Sequence, residues 1–403
     1  MLTPNTHDPL HVSTELGHLY DDPQAHYGTV NPPVYHASTY TFPDYATWKA
    51  NTTGEKPREF TYNISHNPTT KLLERKIAHL EGADDCIASS SGMSAISMVL
   101  IGLLNAGDHA LCINTVYGPT RMAFTSHLPR FGVEATFFPA SASADLSDYL
   151  RPNTRMIFIE SPSTGLFEIQ DIRAVARLAK EKGIWTVIDN TWATPLYQQP
   201  IKLGIDVSVH AGTKYIGGHS DLMFGLTAGN AAAMEKIRKV YTMLGACPGP
   251  DDSYLALRGL RTLHIRLKQH EASGLAVARW LEARPEVVRV NHPGLESFPG
   301  HALHRSQTSG DSGLFSFELE PRGEAARAAF VNSLRFFGLG YSWGGYESLL
   351  SPLALQYYGN DALRQELGLK EDQFRVSIGL EGVDDLIADL SGALEAYRRA
   401  DIG

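Results

Sequence analysis

The chain has 403 residues, of which 43% are hydrophobic and 20% are charged, as in a globular protein with a sizeable core, and this length predicts two or more domains. Its formal net charge of −9 disfavours nucleic acid or an anionic membrane surface as a partner, and no apolar run approaches the roughly 20 residues that a membrane-spanning helix needs. Three widely spaced cysteines and a first segment without a basic and apolar leader favour a cytoplasmic location over secretion.

The first 65 residues are rich in His, Pro, Thr and Tyr and show no sustained hydrophobic period. We expect residues 1–65 to form an extended arm that needs another surface to become ordered. Regular patterning begins after this arm, where one helical face is formed by Leu72, Leu73, Ile77 and Leu80. Gly82 marks the expected end of that helix.

Short apolar runs alternate with helix-like stretches over residues 66–260. The runs are CIASSS, HALCINTVY, ATFFPA, RMIFIESPS, WTVIDNT, IDVSVHAGTK and MFGLTAGN. Strands that alternate with helices predict an α/β domain with a mainly parallel central sheet, covered on both faces. In such sheets ligands bind beyond the carboxyl ends of the strands, so we expect the functional site there.

Two features of the first domain lie at such strand ends. In SSSGMSAIS, Gly92 and several hydroxyl residues come between a strand and a helix, where free N–H groups could hold a phosphate or simply form a helix cap. In NTVYGPT, Tyr117 precedes a Gly-Pro turn, where its ring could stack on a flat ligand or belong to the core.

Two charged residues end the next strands of this sheet. Asp189 ends TVIDNTW, where a carboxylate needs a cation or caps a turn. Lys214 follows an apolar strand in HAGTKYIGGHSD, with Thr213 beside it and Gly217-Gly218 allowing close backbone approach. A partly desolvated lysine has a lowered pKa and can bond to an aldehyde, although most lysines are merely solvated.

Taken together, these features are a phosphate cradle, a stacking ring, an acid and an amine at successive strand ends. They are the attachment points of pyridoxal 5′-phosphate (PLP), whose aldehyde needs a lysine, whose ring nitrogen needs an acid and whose phosphate needs N–H and hydroxyl donors. The combination favours a PLP site more than any one of the features does.

The C-terminal part has a different texture. A long amphipathic stretch contains LALRGLRTLHIRLK, whose basic residues we expect on a solvated or subunit-facing helix surface. After it, VVRVNHP, SGLFSFEL, FFGLGYSWGG and FRVSIGLE are typical of strands, and EAARAAFVNSL and VDDLIADLSGALEAYRR of helices. Residues 261–403 are therefore predicted to form a smaller α+β domain.

The motifs resemble those of the Cys/Met-metabolism PLP enzymes of fold type I, over residues 29–400. TKYIGGHSD is similar to the cofactor-lysine signature of this family, and RGLRTLHIRLKQH, VVRVNHPGL, YSWGGYESL and RVSIGLEGVDDLIADL resemble its bacterial cystathionine β-lyase branch. Trp343 stands where γ-acting members usually carry Leu. The resemblance implies an aspartate-aminotransferase-like fold with a large PLP-binding domain over residues 66–260.

The resemblance also implies roles around the cofactor. Lys214 would bond to the PLP aldehyde and shuttle a proton, Asp189 would keep the ring nitrogen protonated, and Tyr117 would stack on the ring. The phosphate would be bound by three residues at two turns, Gly92, Met93 and Thr213. Tyr62 would reach the phosphate from a neighbouring subunit and complete the catalytic set of Lys214 and Tyr117.

On the substrate side, Arg375 would clamp the substrate carboxylate, helped by Ser342. Tyr341 and Trp343 would shape the pocket around the substrate side chain. An arm that carries Tyr62 into a partner implies an obligate dimer, and the family forms tetramers as dimers of dimers.

The sequence departs from the family pattern at three positions. Relatives usually have Arg where this chain has Ile64 and Gly where it has His66, and they often have Ser at the position of Ala211. Loss of one guanidinium could cost on the order of 1.5–3 kcal/mol of cofactor affinity, unless His66 compensates.

The implied function is a PLP-dependent carbon–sulfur β-lyase, which converts L-cystathionine to homocysteine, pyruvate and ammonia by α,β-elimination in methionine biosynthesis. The alternatives are another PLP C–S lyase, a γ-lyase or a γ-replacement enzyme for a different sulfur amino acid. From another class, Ile64 and Ala211 leave open a cofactor-poor protein that serves assembly or binding. His301 and His304 have the spacing of metal ligands, but without an accompanying cysteine or acid we predict no metal site.

Overall fold

The computed structural model of the chain describes residues 10–357 and 359–400, so residues 1–9 of the predicted arm and 401–403 of the predicted C-terminal domain lie outside it. The strands are β1 (Asp85–Ser89), β2 (His109–Ile113), β3 (Glu134–Phe138), β4 (Thr154–Glu160), β5 (Trp185–Asp189), β6 (Val207–Ala211), β7 (Gly225–Gly229), β8 (Val287–Asn291), β9 (Leu314–Leu319), β10 (Gly338–Leu339), β11 (Leu349–Pro352) and β12 (Gln373–Ser377). The helices are α1 (Val12–His18), α2 (Tyr45–Thr52), α3 (Pro68–Glu81), α4 (Gly92–Leu103), α5 (Gly118–Met122), α6 (Ile172–Lys182), α7 (Thr194–Tyr197), α8 (Ala231–Leu244), α9 (Pro250–Glu282), α10 (His301–Gln307), α11 (Gly323–Ser333), α12 (Leu353–Gln356), α13 (Asp361–Glu366) and α14 (Val383–Arg399).

Seven strands form the central sheet in the order β1-β7-β6-β5-β4-β2-β3. Only β7 runs antiparallel to its neighbours β1 and β6, and the other pairs are parallel. All seven apolar runs of the first domain are strands, so the prediction of an α/β fold with a mainly parallel sheet is confirmed. Strands β2 and β7 are buried along their whole length, which explains their continuous apolar sequences.

Helices cover both faces of this sheet. One core joins the sheet to residues of α4, α6 and α8, including Val99, Val175 and Ile237. The core on the opposite face joins it to α3 and α9 through Leu73, Ile77 and their neighbours. The predicted helix end at Gly82 is observed, with a left-handed φ of 71°.

A second sheet of five strands, in the order β10-β11-β12-β9-β8, forms the smaller C-terminal part. Its pairs are antiparallel except for β10 with β11. Phe317, Phe330 and Phe374 are fully buried between this sheet and helices α11 and α14. This arrangement confirms the predicted smaller α+β unit, although β11 was not among the predicted strands.

The predicted arm differs in part from an extended chain. It contains α1 and α2, and Leu16 and Leu19 are buried because α1 packs against α9 of the same chain. Lys76 anchors the segment further through a buried ion pair with Asp21 at 3.2 Å. The boundary predicted between residues 260 and 261 falls within the continuous helix α9. None of the described helices is long and apolar enough to cross a membrane.

Candidate active site

The candidate site lies where β4, β5 and β6 end. Glu160 and Asp189 are the last residues of β4 and β5 and stand opposite each other in the parallel register. Helix α4 begins directly above the end of β6, since a Cβ added at Gly92 would come within 2.9 Å of the Ala211 Cβ. The structure thus brings the predicted strand-end residues to one edge of the sheet.

Lys214 lies in a tight turn that follows β6. Its backbone N–H donates to the Ala211 carbonyl at 3.0 Å, and its own carbonyl accepts from the Gly218 N–H at 2.7 Å. Its Nζ donates to the Ser342 Oγ at 2.6 Å and lies 5.5 Å from the centre of the Trp343 ring. The amine is therefore held between the turn and the C-terminal domain.

The environment of this amine lowers its basicity. Burial and, to a smaller extent, the positive charge of Arg375 lower the pKa of Lys214 to about 8, although the carboxylate of Asp189 opposes both. A large fraction of the amine is therefore neutral near pH 8, the form that attacks an aldehyde or takes a proton.

Asp189 is an acid whose charge acts on this amine. Its Oδ1 accepts from the Thr191 N–H at 3.0 Å and from the Thr191 hydroxyl at 2.5 Å. Its Oδ2 carries no hydrogen bond to any residue within 10–357 or 359–400. Burial raises the pKa of Asp189, whereas the bonds from Thr191 and the charges of His210 and Lys214 lower it.

Glu160 was missed in the sequence, although it ends a strand just as Asp189 does. One of its oxygens accepts from the Tyr117 backbone N–H at 2.8 Å and the other from the Thr164 hydroxyl. Burial, together with the negative charge of Asp189, raises the pKa of Glu160 to about 8. Burial therefore favours the protonated form of Glu160 near neutral pH, whereas the bonds from Thr191 and the charges of His210 and Lys214 favour the charged form of Asp189.

Behind Asp189 lies a buried polar network that was also missed. The Glu81 Oε1 accepts from His210 Nε2 at 2.5 Å, from the Ser208 hydroxyl at 3.0 Å and from the Asn190 amide at 3.1 Å. These residues lie on α3, on β6 and directly after β5, so the network ties the strand that ends in Asp189 to the helix behind it. Alternation along β6 could have indicated that Ser208 and His210 share one face.

The residues predicted to bind the phosphate lie at the start of α4 and in the lysine turn. Ser91 caps α4 by accepting from the Ser94 N–H at 3.0 Å, and the amides of Gly92 and Met93 occupy the first turn, where helical N–H groups have no intrahelical partner. The Thr213 hydroxyl accepts from the Phe224 N–H at 2.9 Å and donates to the Phe224 carbonyl at 3.2 Å, so it would have to give up the second bond to donate to an anion.

The C-terminal domain supplies the opposite wall. Arg375, on β12, donates to the Ser342 carbonyl at 3.3 Å and makes no ion pair with an acid in the described part of the chain. Ser342 has a left-handed φ of 75°, unusual for a residue other than glycine. At Gly344 an added Cβ would lie 2.8 Å from the Tyr215 backbone nitrogen, so only glycine allows this segment to approach the lysine turn.

Three predicted aromatic residues are less enclosed. Tyr117 follows β2 and is 44% exposed, with its ring near enough to Asp189, Glu160 and Arg375 to share their electrostatic environment. Tyr341 is 76% exposed. Tyr62 is 53% exposed, and no described hydrogen bond or ring contact joins its side chain to Lys214, so its role across a subunit interface stays a prediction.

The two departures near Tyr62 place Ile64 and His66 where relatives have other residues, and neither adds a positive charge. Ile64 lies against Gly245, with its Cδ1 3.3 Å from the position of an added Cβ. Burial and the positive charges of Arg238 and Lys71 lower the pKa of His66 to about 4. In this chain His66 is therefore neutral near pH 7 and does not replace the charge of the missing guanidinium.

The two histidines of the HxxH motif have structural partners. His304 Nε2 and Asp311 Oδ1 are 2.7 Å apart in the buried interior. The His301 Nδ1 lies 2.9 Å from the Pro293 carbonyl. Within residues 10–357 and 359–400, no group of three or more His, Cys, Asp or Glu residues could hold a metal ion.

The donor set fits PLP. A weakly basic amine at Lys214 suits the aldehyde, the open Oδ2 of Asp189 suits a protonated ring nitrogen, and the start of α4 suits the phosphate. Each group is contributed by a different element, and the sheet register brings them together. The unpaired guanidinium of Arg375 leaves a place for a carboxylate beside them.

Comparison with known proteins agrees with this fit. The family model of Cys/Met metabolism PLP-dependent enzymes matches residues 13–395. A cystathionine β-lyase of Bordetella avium is 42% identical over 401 residues, covering 96% of this chain and 98% of that protein. An L-methionine γ-lyase of Pseudomonas putida is 39% identical over 393 residues, covering 96% and 98%. The crystal structure of cystathionine γ-synthase from Xanthomonas oryzae pv. oryzae, in complex with aminoacrylate and cysteine, aligns with a TM-score of 0.91 at 35% identity and covers 97% of this chain and 99% of that one.

Proposed function

The chain belongs to the Cys/Met metabolism PLP-dependent enzymes, and on that premise we propose that it is a carbon–sulfur β-lyase that acts on L-cystathionine. The products would be homocysteine, pyruvate and ammonia, in the cytoplasm and within methionine biosynthesis. The observation that carries the proposal is the placement of one amine. Nζ of Lys214 is hydrogen-bonded to Ser342, weakened as a base by burial, and flanked by Asp189 and Arg375.

PLP, when bound, withdraws electrons from the substrate carbon that bears the amino group, which makes the proton on that carbon acidic. Asp189 supports this withdrawal because its open Oδ2 can accept a hydrogen bond from a protonated ring nitrogen. Proton transfer to a group with a pKa near the working pH is efficient, so Lys214 is suited to take the substrate proton at Nζ.

Arg375 and Ser342 would orient the substrate. The guanidinium of Arg375 has no acidic partner in the described chain and can form two parallel hydrogen bonds to the substrate carboxylate. The Ser342 carbonyl restrains Arg375 while its hydroxyl restrains Lys214, so one residue sets the distance between clamp and base. This arrangement supports a substrate whose carboxylate and reacting carbon are close together, as in every α-amino acid.

Trp343 favours β-elimination over γ-chemistry in this proposal. Its ring contacts Tyr215 edge-on, with the ring centres 5.4 Å apart, and faces the amine of Lys214. A bulky ring there narrows the space beyond the substrate Cβ. The methionine γ-lyase among the relatives supports γ-elimination as the second candidate.

The keto acid released distinguishes the two candidates. We expect the purified protein with PLP to release pyruvate from L-cystathionine, whereas γ-elimination gives 2-oxobutyrate. A panel of cystathionine, methionine, homocysteine and cysteine, analysed for both keto acids, tests this. Release of 2-oxobutyrate alone would replace the β-lyase proposal with the γ-lyase one.

We further propose that the protein works as a homo-oligomer, a dimer or a dimer of dimers. Tyr27, Tyr45, Trp48 and Tyr62 are exposed aromatic side chains of the first 65 residues, and such groups are typical of interface cores. Sedimentation analysis of the PLP-loaded protein tests this. A fully active monomer would contradict both the oligomer and the role of Tyr62.

A further inference from the structure

Arg266, on α9, is a buried cation with only neutral partners in the described chain. It is 7% exposed, and its Nη1 donates to the Tyr215 carbonyl at 2.7 Å. Its Nη2 donates to the Gly259 carbonyl at 2.7 Å and the Ile216 carbonyl at 3.4 Å, and its Nε to the Thr262 hydroxyl at 3.1 Å. Burial lowers the pKa of Arg266 to about 10. Removing this charge from water raises the free energy of the folded chain, and the hydrogen bonds to several carbonyl oxygens offset that penalty.

Two of these carbonyls belong to the turn that carries Lys214. The turn closes with Gly218 at a left-handed φ of 72°, where an added Cβ would lie 1.9 Å from the Arg266 Nη1. On the helix side, a Cβ added at Gly259 would lie 2.3 Å from the carbonyl oxygens of Ile216 and Gly217. Turn and helix are therefore in backbone contact, and the guanidinium occupies the space that the glycines leave.

The same helix also contacts the substrate wall. His270, one turn beyond Arg266, lies with its Nδ1 2.8 Å from the carbonyl of Ile378, which directly follows β12 and its Arg375. The Tyr215 ring lies between these parts, with its centre 5.0 Å from that of His270. Helix α9 is thus connected to both the amine and the carboxylate clamp.

We propose that Arg266 is a positioning residue for the reaction, because its guanidinium closes the carbonyl end of the Lys214 turn and sets the place of Nζ relative to Arg375. The inference rests on the proposed function for its kinetic test. It goes beyond a role in stability, since a displaced base slows proton transfer even where the protein stays folded and loaded.

We expect Arg266→Ala, as the PLP-loaded protein, to lose about 100-fold in kcat, since a displacement of about 1 Å can cost that much. KM should stay within about threefold, because Arg375 is untouched. Substrate deuterated at the α-carbon should give a larger isotope effect on kcat than with the unaltered protein, since removal of that proton becomes the slow step. Arg258→Ala, at an exposed position of the same helix, is the matched control.

Chemical rescue separates positioning from folding. The cavity left in Arg266→Ala is lined by carbonyls, so guanidinium ion at sub-denaturing concentration should restore at least about tenfold of the lost kcat, and methylammonium should restore less. If Arg266→Ala does not fold, Arg266→Lys serves instead, with an expected loss of about tenfold in kcat at unchanged KM. A kcat within threefold of the unaltered value in the folded variant would overturn the inference.

A second readout needs neither turnover nor cofactor. Competitive labelling of amines in the PLP-free protein measures how the reactivity of Lys214 depends on pH. We expect the midpoint to lie near 8 in the unaltered chain and to move toward the ordinary lysine value in Arg266→Ala, because the released turn exposes the amine. An unchanged midpoint would count against positioning, whereas a lack of pyruvate from the unaltered protein would count against the proposed function alone.

Discussion

The candidate site lies between a wall formed by the large domain and a wall formed by the C-terminal domain, and the two walls are built differently. On the large-domain side, Asp189 and Glu160 end neighbouring parallel strands whose register sets their separation. On the C-terminal side, Ser342 and Gly344 lie in a connection between short strands, both with left-handed φ values. The first wall is determined by regular hydrogen bonding, and the second by a few residues in unusual conformations.

This difference in construction predicts that the first wall serves the chemical steps and the second wall serves substrate selectivity. A wall made of strand ends holds its groups rigidly and suits the steps that relatives share, namely cofactor attachment and proton transfer. A wall made of a connecting segment tolerates substitution and suits the choice of substrate. We therefore expect changes on the first wall to abolish turnover and changes on the second to weaken substrate binding or redirect the reaction.

The largest effect should follow from the loss of the amine on the first wall. Lys214→Ala is expected to lower the rate of pyruvate formation by at least about 10³-fold, because attachment and proton transfer both disappear. A coupled assay for pyruvate measures it, and Lys236→Ala, at an exposed lysine, is the control. Near-normal turnover would refute the assignment of Lys214.

On the second wall, Arg375→Ala should raise KM for L-cystathionine by about 10- to 150-fold, as expected when a charge-assisted bond of about 1.5–3 kcal/mol is lost. Arg375→Lys should recover part of this, because it keeps the charge but not the two parallel bonds. Steady-state kinetics at saturating PLP measures both variants, and an unchanged KM would remove Arg375 from the clamp.

A third test measures how much the buried amine of Lys214 lowers the free energy of unfolding. The folded PLP-free chain disfavours a charged Lys214, so the unfolded chain binds more protons between about pH 8 and the ordinary lysine value of 10.5. Unfolding free energy should therefore rise with pH across that window, and the penalty should be fully present below pH 8. Lys214→Met should remove a penalty of about 3 kcal/mol at pH 7, measured by urea unfolding. Equal free energies of unfolding for Lys214→Met and the unaltered protein at pH 7 would contradict the burial of this amine.

The smallest effect concerns selectivity on the second wall. Trp343→Leu should keep the overall rate within about tenfold but raise the fraction of 2-oxobutyrate from homocysteine or methionine, because a smaller side chain opens the space beyond Cβ. Chromatographic separation of the two keto acids measures the ratio. Trp343→Phe, which keeps an aromatic ring, should change it least, and identical ratios in all three proteins would remove Trp343 from the choice of reaction.

Much of the first wall was predictable from sequence. All seven strands were found because both faces of the sheet are buried, which leaves continuous apolar runs bounded by turn residues. Asp189 and Lys214 stood out because charged residues directly after such runs are unusual. Glu160 offered the same signal but was not recognised, and its pairing with Asp189 depends on the register of β4 against β5, which the local sequence does not give.

The second wall was reached only through the family resemblance. Nothing in the local pattern indicates that Ser342 adopts a left-handed φ or that Gly344 contacts Tyr215, because both depend on a distant part of the chain. Strand β11 was missed because it is four residues long and ends in Pro352, which lacks a backbone N–H donor. The prediction that the basic residues of LALRGLRTLHIRLK are solvated was wrong for Arg266, whose carbonyl partners lie around Tyr215 and Gly259.

Helix α9 limits where this chain can be recombined with its relatives. It runs without a break from Pro250 to Glu282, a length of about 50 Å, and packs against elements of both domains. A chimera joined at residue 260 would combine two half-helices of different parentage and separate Gly259 from Arg266. A crossover beyond Glu282 would instead transfer α9 intact with the lysine turn that it supports, and is the better design for exchanging substrate preference between lineages.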